Sequence, residues 1–283
     1  MSPSLLSYIF PKKCIFCANT LSAAVPICVC DICAAKLPYY KGEYLFESGG
    51  SGGDGERGDE SSGGGSGDER GGDERSGGGG IARNYCDRIV CALKYTGIVR
   101  KAVSGFKFQG RREYGLTLAA LLCERLINVE TFNKINESFD IVTCVPLSRG
   151  RLRERGYNQA AVLANYTARC FNLFYASGLL ARNEQTLRQS SLKRGERRAN
   201  VQSAFIVNIK KAHEAKTRLE AGNRRYECVD PPAGDETNNP PLNGMRILLI
   251  DDIATSMSTI NACAASLKSE GAAQVVGAVL AAP

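Results

Sequence analysis

The chain has 283 residues, of which 43% are hydrophobic and 23% charged, and its formal net charge is +7. This composition fits a folded globular core and excludes a collagen-like or wholly disordered chain. No apolar run approaches the ~20 residues of a membrane span, and the N-terminal MSPSLLSYIFPKKC is short of apolar residues and broken by Pro11, so the protein is expected in the cytoplasm.

In chain order, residues 1–45 form a cysteine-rich head. Cys14-x-x-Cys17 and Cys30-x-x-Cys33 are two knuckles separated by twelve residues. Four thiolates at this spacing suit one tetrahedral structural zinc, with no coordination position left for water. Cys28 competes with Cys30 as a ligand, and Cys30 is preferred because it restores the two-residue spacing. The other cysteines, among them Cys86, Cys91, Cys123, Cys144, Cys170, Cys228 and Cys263, are expected mostly as small core residues.

Residues 46–80 are expected to be a disordered acidic linker. From 48 to 80 there are 16 glycines, eight acids and three arginines and no large apolar residue. That segment contributes −5, which leaves +12 on the remaining chain and favours anionic partners.

Residues 81–283 alternate helical and strand patterns, interrupted by a polar excursion at 210–243. A mostly helical stretch over 99–126 breaks near Gln109-Gly110. FDIVTCV, residues 139–145, is a short buried strand ending at Pro146. NQAAVLANYTARCF, residues 158–171, is an amphipathic helix. Arg246 to Ile250 is a second buried strand, 259–269 a helix and 274–281 a last strand. Strands alternating with helices imply a parallel α/β sheet, with ligands beyond the carboxyl ends of its strands.

ILLIDDIATSMST, residues 247–259, places Asp251 and Asp252 at such a strand end. Thr255, Ser256, Met257, Ser258 and Thr259 follow, leading into a helix. Hydroxyls and free N–H groups at a helix start suit a phosphate, and two carboxylates suit ribose hydroxyls. A strand that ends in acids and a Ser/Thr helix cap also occur without any ligand.

Three basic stretches could serve anions: residues 146–159 with Arg149, Arg151, Arg153 and Arg155; 182–202 with Arg198; and 94–113 with Lys107. Nucleic acid selects the same residues. Tyr95, Phe106, Phe108 and Tyr157 are candidate stacking aromatics and equally candidate core residues. His213, the one histidine, is expected to be exposed.

The 247–259 stretch resembles the phosphoribosyl pyrophosphate (PRPP) loop of type I phosphoribosyltransferases, with Met257 standing where that loop has glycine. VPLSRGRLRERGYNQA, TLRQSSLKRGERRANVQSAF and YTGIVRKAVSGFKFQGRR resemble blocks of the ComF/GntX competence family, as does the four-cysteine head. The resemblance covers nearly the whole chain except residues 46–80 and 210–243. It implies a type I phosphoribosyltransferase fold behind a zinc-binding head, with a role in DNA uptake.

On that resemblance, Asp251 and Asp252 hold the ribose of Mg²⁺-PRPP and residues 255–259 hold its 5′-phosphate. Arg149, Arg151, Arg155, Arg198 and Lys107 serve the pyrophosphate, and residues 182–202 form a flap. Transfer would pass through an oxocarbenium-like state stabilised by charge placement, although neither a nucleophile nor an acceptor is identifiable. The alternative is a non-catalytic factor that binds nucleotide, single-stranded DNA or a partner of the uptake machinery. If the 257 position needs positive φ, methionine there costs roughly 1–2 kcal/mol, which leads to the expectation that Met257→Gly tightens PRPP binding.

Overall fold

The computed structural model describes residues 12–22, 25–40, 43–45, 84–129, 139–183, 204–221, 240–255 and 257–283. The expected linker at 46–80 lies outside these residues. So do most of the expected flap, the later part of 210–243, Ser256, Arg198 and Cys228.

The head carries a short helix α1 (Asp31–Ala34) and ends in strand β1 (Glu43–Leu45). The main body follows as β2 (Arg88–Lys94), α2 (Gly97–Phe108), α3 (Tyr114–Ile127), β3 (Ile141–Cys144), α4 (Arg149–Arg155), α5 (Gln159–Cys170), β4 (Phe174–Tyr175), β5 (Leu180–Arg182), β6 (Phe205–Val207), α6 (Ile209–Glu220), β7 (Arg246–Ile253), α7 (Ser258–Ser269) and β8 (Gln274–Ala282). The main sheet has the order β1-β2-β8-β7-β3-β4. From β2 to β4 every neighbour is parallel, and β1 is added antiparallel at the β2 edge. The fold is therefore α/β, five parallel strands flanked by helices, as the strand–helix alternation requires.

The sheet is buried on both faces, which is why β7 and β8 read as unbroken apolar runs. Alternate residues of β7 leave opposite faces. Leu248 and Ile250 enter one core with Phe106, Leu118, Leu122 and Leu163 of α2, α3 and α5. Ile247 and Leu249 enter the other with Ile260, Cys263 and Leu267 of α7. Gly277 lets α7 lie close to the sheet, because a Cβ there would stand 3.0 Å from Ile260 Cγ2 and 3.2 Å from Ile89 Cγ1. At the other end of the strands, Arg246 binds Asp140 through Nη2 at 2.9 Å and Nε at 3.3 Å, clamping the starts of β3 and β7.

Several boundaries differ from those read in the sequence. β7 runs on to Ile253, so both acids lie within the strand rather than after it. The arginine-rich segment 149–155 is a short helix, started by the Ser148 side chain and ended by Gly156 at φ 75°. Part of the polar excursion is helix α6, whose Ala212 and Ala215 are buried in the α7-side core. Small residues at i and i+3 gave too weak an apolar stripe to stand out among lysines. β2 and the short β4, β5 and β6 carry no turn signals distinctive enough to have marked them.

The head does not rely on a core of its own. Ile15, Phe16 and Leu37 join the core under α3. The Cys28 amide donates to Thr117 Oγ1 of α3 at 3.1 Å, and the Lys94 amide donates to the Pro38 carbonyl at 2.8 Å.

Candidate functional site

β3 leads through α5 to β4 on one side of the sheet, and β7 leads through α7 to β8 on the other. The order therefore reverses between β3 and β7, where a crevice opens at the carboxyl ends. Asp251 and Asp252 stand at this point, 8% and 7% exposed. Being neighbours in a strand, they face opposite sides. Asp252 points toward α2 and forms an ion pair with Lys107, Oδ2 to Nζ at 3.0 Å. Asp251 lies on the α7 side. The amide of Asp252 donates to Asp251 Oδ1 at 2.8 Å, and that of Ile253 to Asp252 Oδ1 at 2.6 Å.

Burial pushes the Asp251 carboxyl up to about 8, and the charge of Asp252 adds to this. The Asp252 amide, Lys107 and Arg182 pull in the opposite direction. Near Asp251, burial also raises Cys144 to about 11 and Cys263 well above its ordinary value. These thiols are packing residues, as are the buried Cys86, Cys91 and Cys123; Cys170 is exposed.

The turn after β7 is curled. Met257 has φ 54° and ψ −9°, a left-handed conformation at the cap position of α7. The methionine side chain packs on the α7-side core. A thioether is at best a weak acceptor, and Met257 makes no side-chain cap hydrogen bond to α7. Thr255 and Ser258 are exposed and Thr259 is half-buried. Met257 thus has the positive φ at which an L-residue is strained.

On the β3 side, Asn158 holds the connection. Its Nδ2 donates to the Val145 carbonyl at 3.0 Å, while its Oδ1 accepts from the Ala160 amide at 3.0 Å and caps α5. Arg149, Arg151 and Arg153 of α4 are exposed. Arg155 is half-buried, donates to Gln159 Oε1 at 3.1 Å and lies 4.9 Å from the centre of the Phe108 ring. Phe108 is 60% exposed, whereas Phe106 is fully buried. Tyr157 is half-buried and bonds to the Phe106 carbonyl, and Tyr95 is also half-buried. Of the four candidate aromatics, Phe108 alone is well exposed. His213 is exposed on α6, away from the acids in sequence and element.

Sequence reasoning missed two residues here. Asn158 was readable as a helix cap. Arg182, at the end of β5, was legible only as the first residue of a basic stretch; its position depends on the hairpin with β6.

In the head, the Sγ atoms of Cys14, Cys17, Cys30 and Cys33 all lie within 4.8 Å of one another. Cys17 and Cys30 are 3.6 Å apart, near the ~3.8 Å edge of a tetrahedron with Zn–S bonds of about 2.3 Å. This donor set can hold a metal ion, and it contains Cys30 rather than Cys28. For Cys14, burial raises the thiol, but N–H groups from Cys30, Cys17 and Phe16 outweigh it and bring the value down to about 7.

These features define an α/β protein with a polar crevice at the reversal of a parallel sheet and a metal-competent cysteine head. The chain is similar to competence protein F of Haemophilus influenzae, 25% identical over 189 residues, 67% of this chain and 70% of that protein. It is similar to DNA utilization protein YhgH of Salmonella typhimurium, 26% identical over 188 residues, 66% and 69% of the two chains. Competence protein ComFC of Bacillus subtilis is 26% identical over 189 residues, 64% and 58% of the two chains. These similarities support a relationship to the ComF family. No family model matches it, and no solved structure matches it significantly. Among the described residues, no helix is long and apolar enough to cross a membrane.

Proposed function

We propose that this chain is a phosphoribosyltransferase-fold protein that binds PRPP, or a related ribose phosphate, with Mg²⁺ in the β3–β7 crevice, and that it serves DNA uptake in the cytoplasm. The observation that carries the reading is the left-handed turn at Met257, which opens the N-terminus of α7 directly after two buried carboxylates. A phosphate dianion is favoured by N–H groups at a helix start. The 5′-phosphate then sits on residues 255–259 and the ribose hydroxyls donate to Asp252 and Asp251.

The pyrophosphate meets Lys107 and the arginines of α4, with Arg198 as a further donor from the flap. Arginine offers a planar, permanently charged fork for phosphate oxygens. Lys107 already neutralises Asp252, so pyrophosphate competes with Asp252 for the same ammonium. Mg²⁺ prefers oxygen ligands and keeps several waters. The carboxylates fit that preference, and the ion when bound would neutralise the leaving pyrophosphate. Glycosyl transfer at this site would rest on charge placement. In the head, the donor chemistry of four thiolates favours structural zinc. The competence and DNA-utilization names of the relatives support the DNA-uptake part of the reading.

A second reading has its own support. Three exposed arginines on α4 and the exposed Phe108 ring form a surface suited to single-stranded nucleic acid, with a non-catalytic role. Calorimetric titration separates the two. PRPP with Mg²⁺ should bind, and Asp251→Asn combined with Asp252→Asn should abolish the heat. Absence of PRPP binding, together with oligonucleotide binding that weakens steeply between two salt concentrations, would replace the first reading by the second.

A further inference from the structure

Asp251 and Asp252 leave opposite faces of β7. Asp252 takes Lys107 from α2. On the other face lies Arg182, at the end of β5, whose ring partner Phe205 belongs to the core on the Asp251 side. Its guanidinium is half-buried, and its Nε donates to the Pro146 carbonyl at 3.2 Å. Its guanidinium carbon lies 5.0 Å from the centre of the Phe205 ring on β6. Pro146 is where β3 hands the chain to the arginines of α4. One side chain thus joins residues 146, 182 and 205, and places a positive charge on the Asp251 side of the sheet.

We infer that Arg182 is a positioning residue of this site, holding the segment after β3 against the β5–β6 hairpin and adding positive charge on the Asp251 side of the sheet. The inference rests on the ribose-phosphate reading for its functional meaning. Burial lowers Arg182 somewhat, and Arg151 acts in the same direction, while Asp251 opposes them. A guanidinium remains charged through such a shift. The charge also counters the burial that raises Asp251. Lysine can supply the charge but cannot bond to Pro146 and stack on Phe205 in the same plane.

The test uses the full chain with Arg182→Gln and Arg182→Lys. Hydrogen exchange of residues 147–156 reads the tether, and the ¹³C shift of the Asp251 carboxyl across pH 6–10 reads the charge. Arg182→Gln should speed exchange in 147–156 about tenfold, the effect of losing one hydrogen bond to a charged group, while leaving α3 and α7 unchanged. It should also move the Asp251 titration to higher pH and weaken PRPP binding at pH 7 about tenfold or more. Arg182→Lys should restore the Asp251 titration but not the protection of 147–156. A residue that only packs would loosen α7 as well and leave the titration where it was.

Unchanged exchange in 147–156, or an Asp251 titration unmoved by Arg182→Gln, overturns the inference. If the native chain binds PRPP and Arg182→Gln binds it equally well from pH 6 to 9, the inference falls and the ribose-phosphate reading stands. If the native chain binds no PRPP, that reading falls, and the exchange and titration results still decide whether Arg182 holds the site.

Discussion

Replacing Met257 by alanine and by glycine isolates the strain of the loop from the packing of its side chain. Both variants lose the half-buried thioether on the α7-side core, about 1 kcal/mol at ~25 cal/mol per Å² for a partly covered side chain. Alanine keeps the left-handed strain at φ 54°, which costs roughly 1–2 kcal/mol in an L-residue. Glycine relieves it, at a cost of about 0.5–1 kcal/mol for its extra freedom in the unfolded chain. The glycine variant should therefore be more stable than the alanine variant by about 0.5–1 kcal/mol, roughly 1–4 °C in a domain of this size. The order is diagnostic, because inside a helix alanine exceeds glycine by about 1 kcal/mol. Thermal melts and urea midpoints of the three proteins measure it. If the same strain opposes the ligand, Met257→Gly should tighten PRPP binding, by about tenfold for ~1.4 kcal/mol. An alanine variant as stable as the glycine variant would show that residue 257 is not held in the left-handed curl.

Asp251 gives a pH-dependent counterpart. Its carboxyl is raised from the ordinary 3.8 to about 8 in the folded chain. Between those values the folded state keeps a proton that the unfolded chain has released, so this group lowers stability as pH rises and has no further effect above about 8. Asp251→Asn should match the native protein at pH 4 and exceed it increasingly toward pH 8, by at most about 1.4 kcal/mol per pH unit. Urea midpoints for the pair that stay parallel from pH 4 to 8 would show that the carboxyl is ionised throughout. In the head, Cys30→Ser should lose the bound metal and lower the melting temperature, since Ile15, Phe16 and Leu37 share the core under α3. Cys28→Ser should keep the metal; metal analysis showing the reverse would reassign the fourth ligand.

The sequence by itself determined the elements whose chemistry is local. Two C-x-x-C knuckles announce a four-thiolate cluster because ligand spacing is set by the short turns that bring sulfurs together. The apolar runs of β3, β7 and β8 mark a parallel sheet because such strands are covered on both faces. Asp251, Asp252 and the residues after them were legible because a strand, an acid pair and a helix start follow one another along the chain. Tertiary structure decided what depends on partners distant in sequence. Cys30 rather than Cys28 joins the cluster because the fold brings its Sγ to 3.6 Å from Cys17 Sγ. The two acids separate onto opposite faces because β7 continues through them, and Lys107, far away in sequence, reaches one of them. Arg182 was legible only as the first residue of a basic stretch, because its contacts require β5 to pair with β6 and the Pro146 carbonyl to lie beside it. A strand's apolar pattern can be read one residue at a time, whereas the charge that a buried carboxylate meets exists only after the sheet has closed around it.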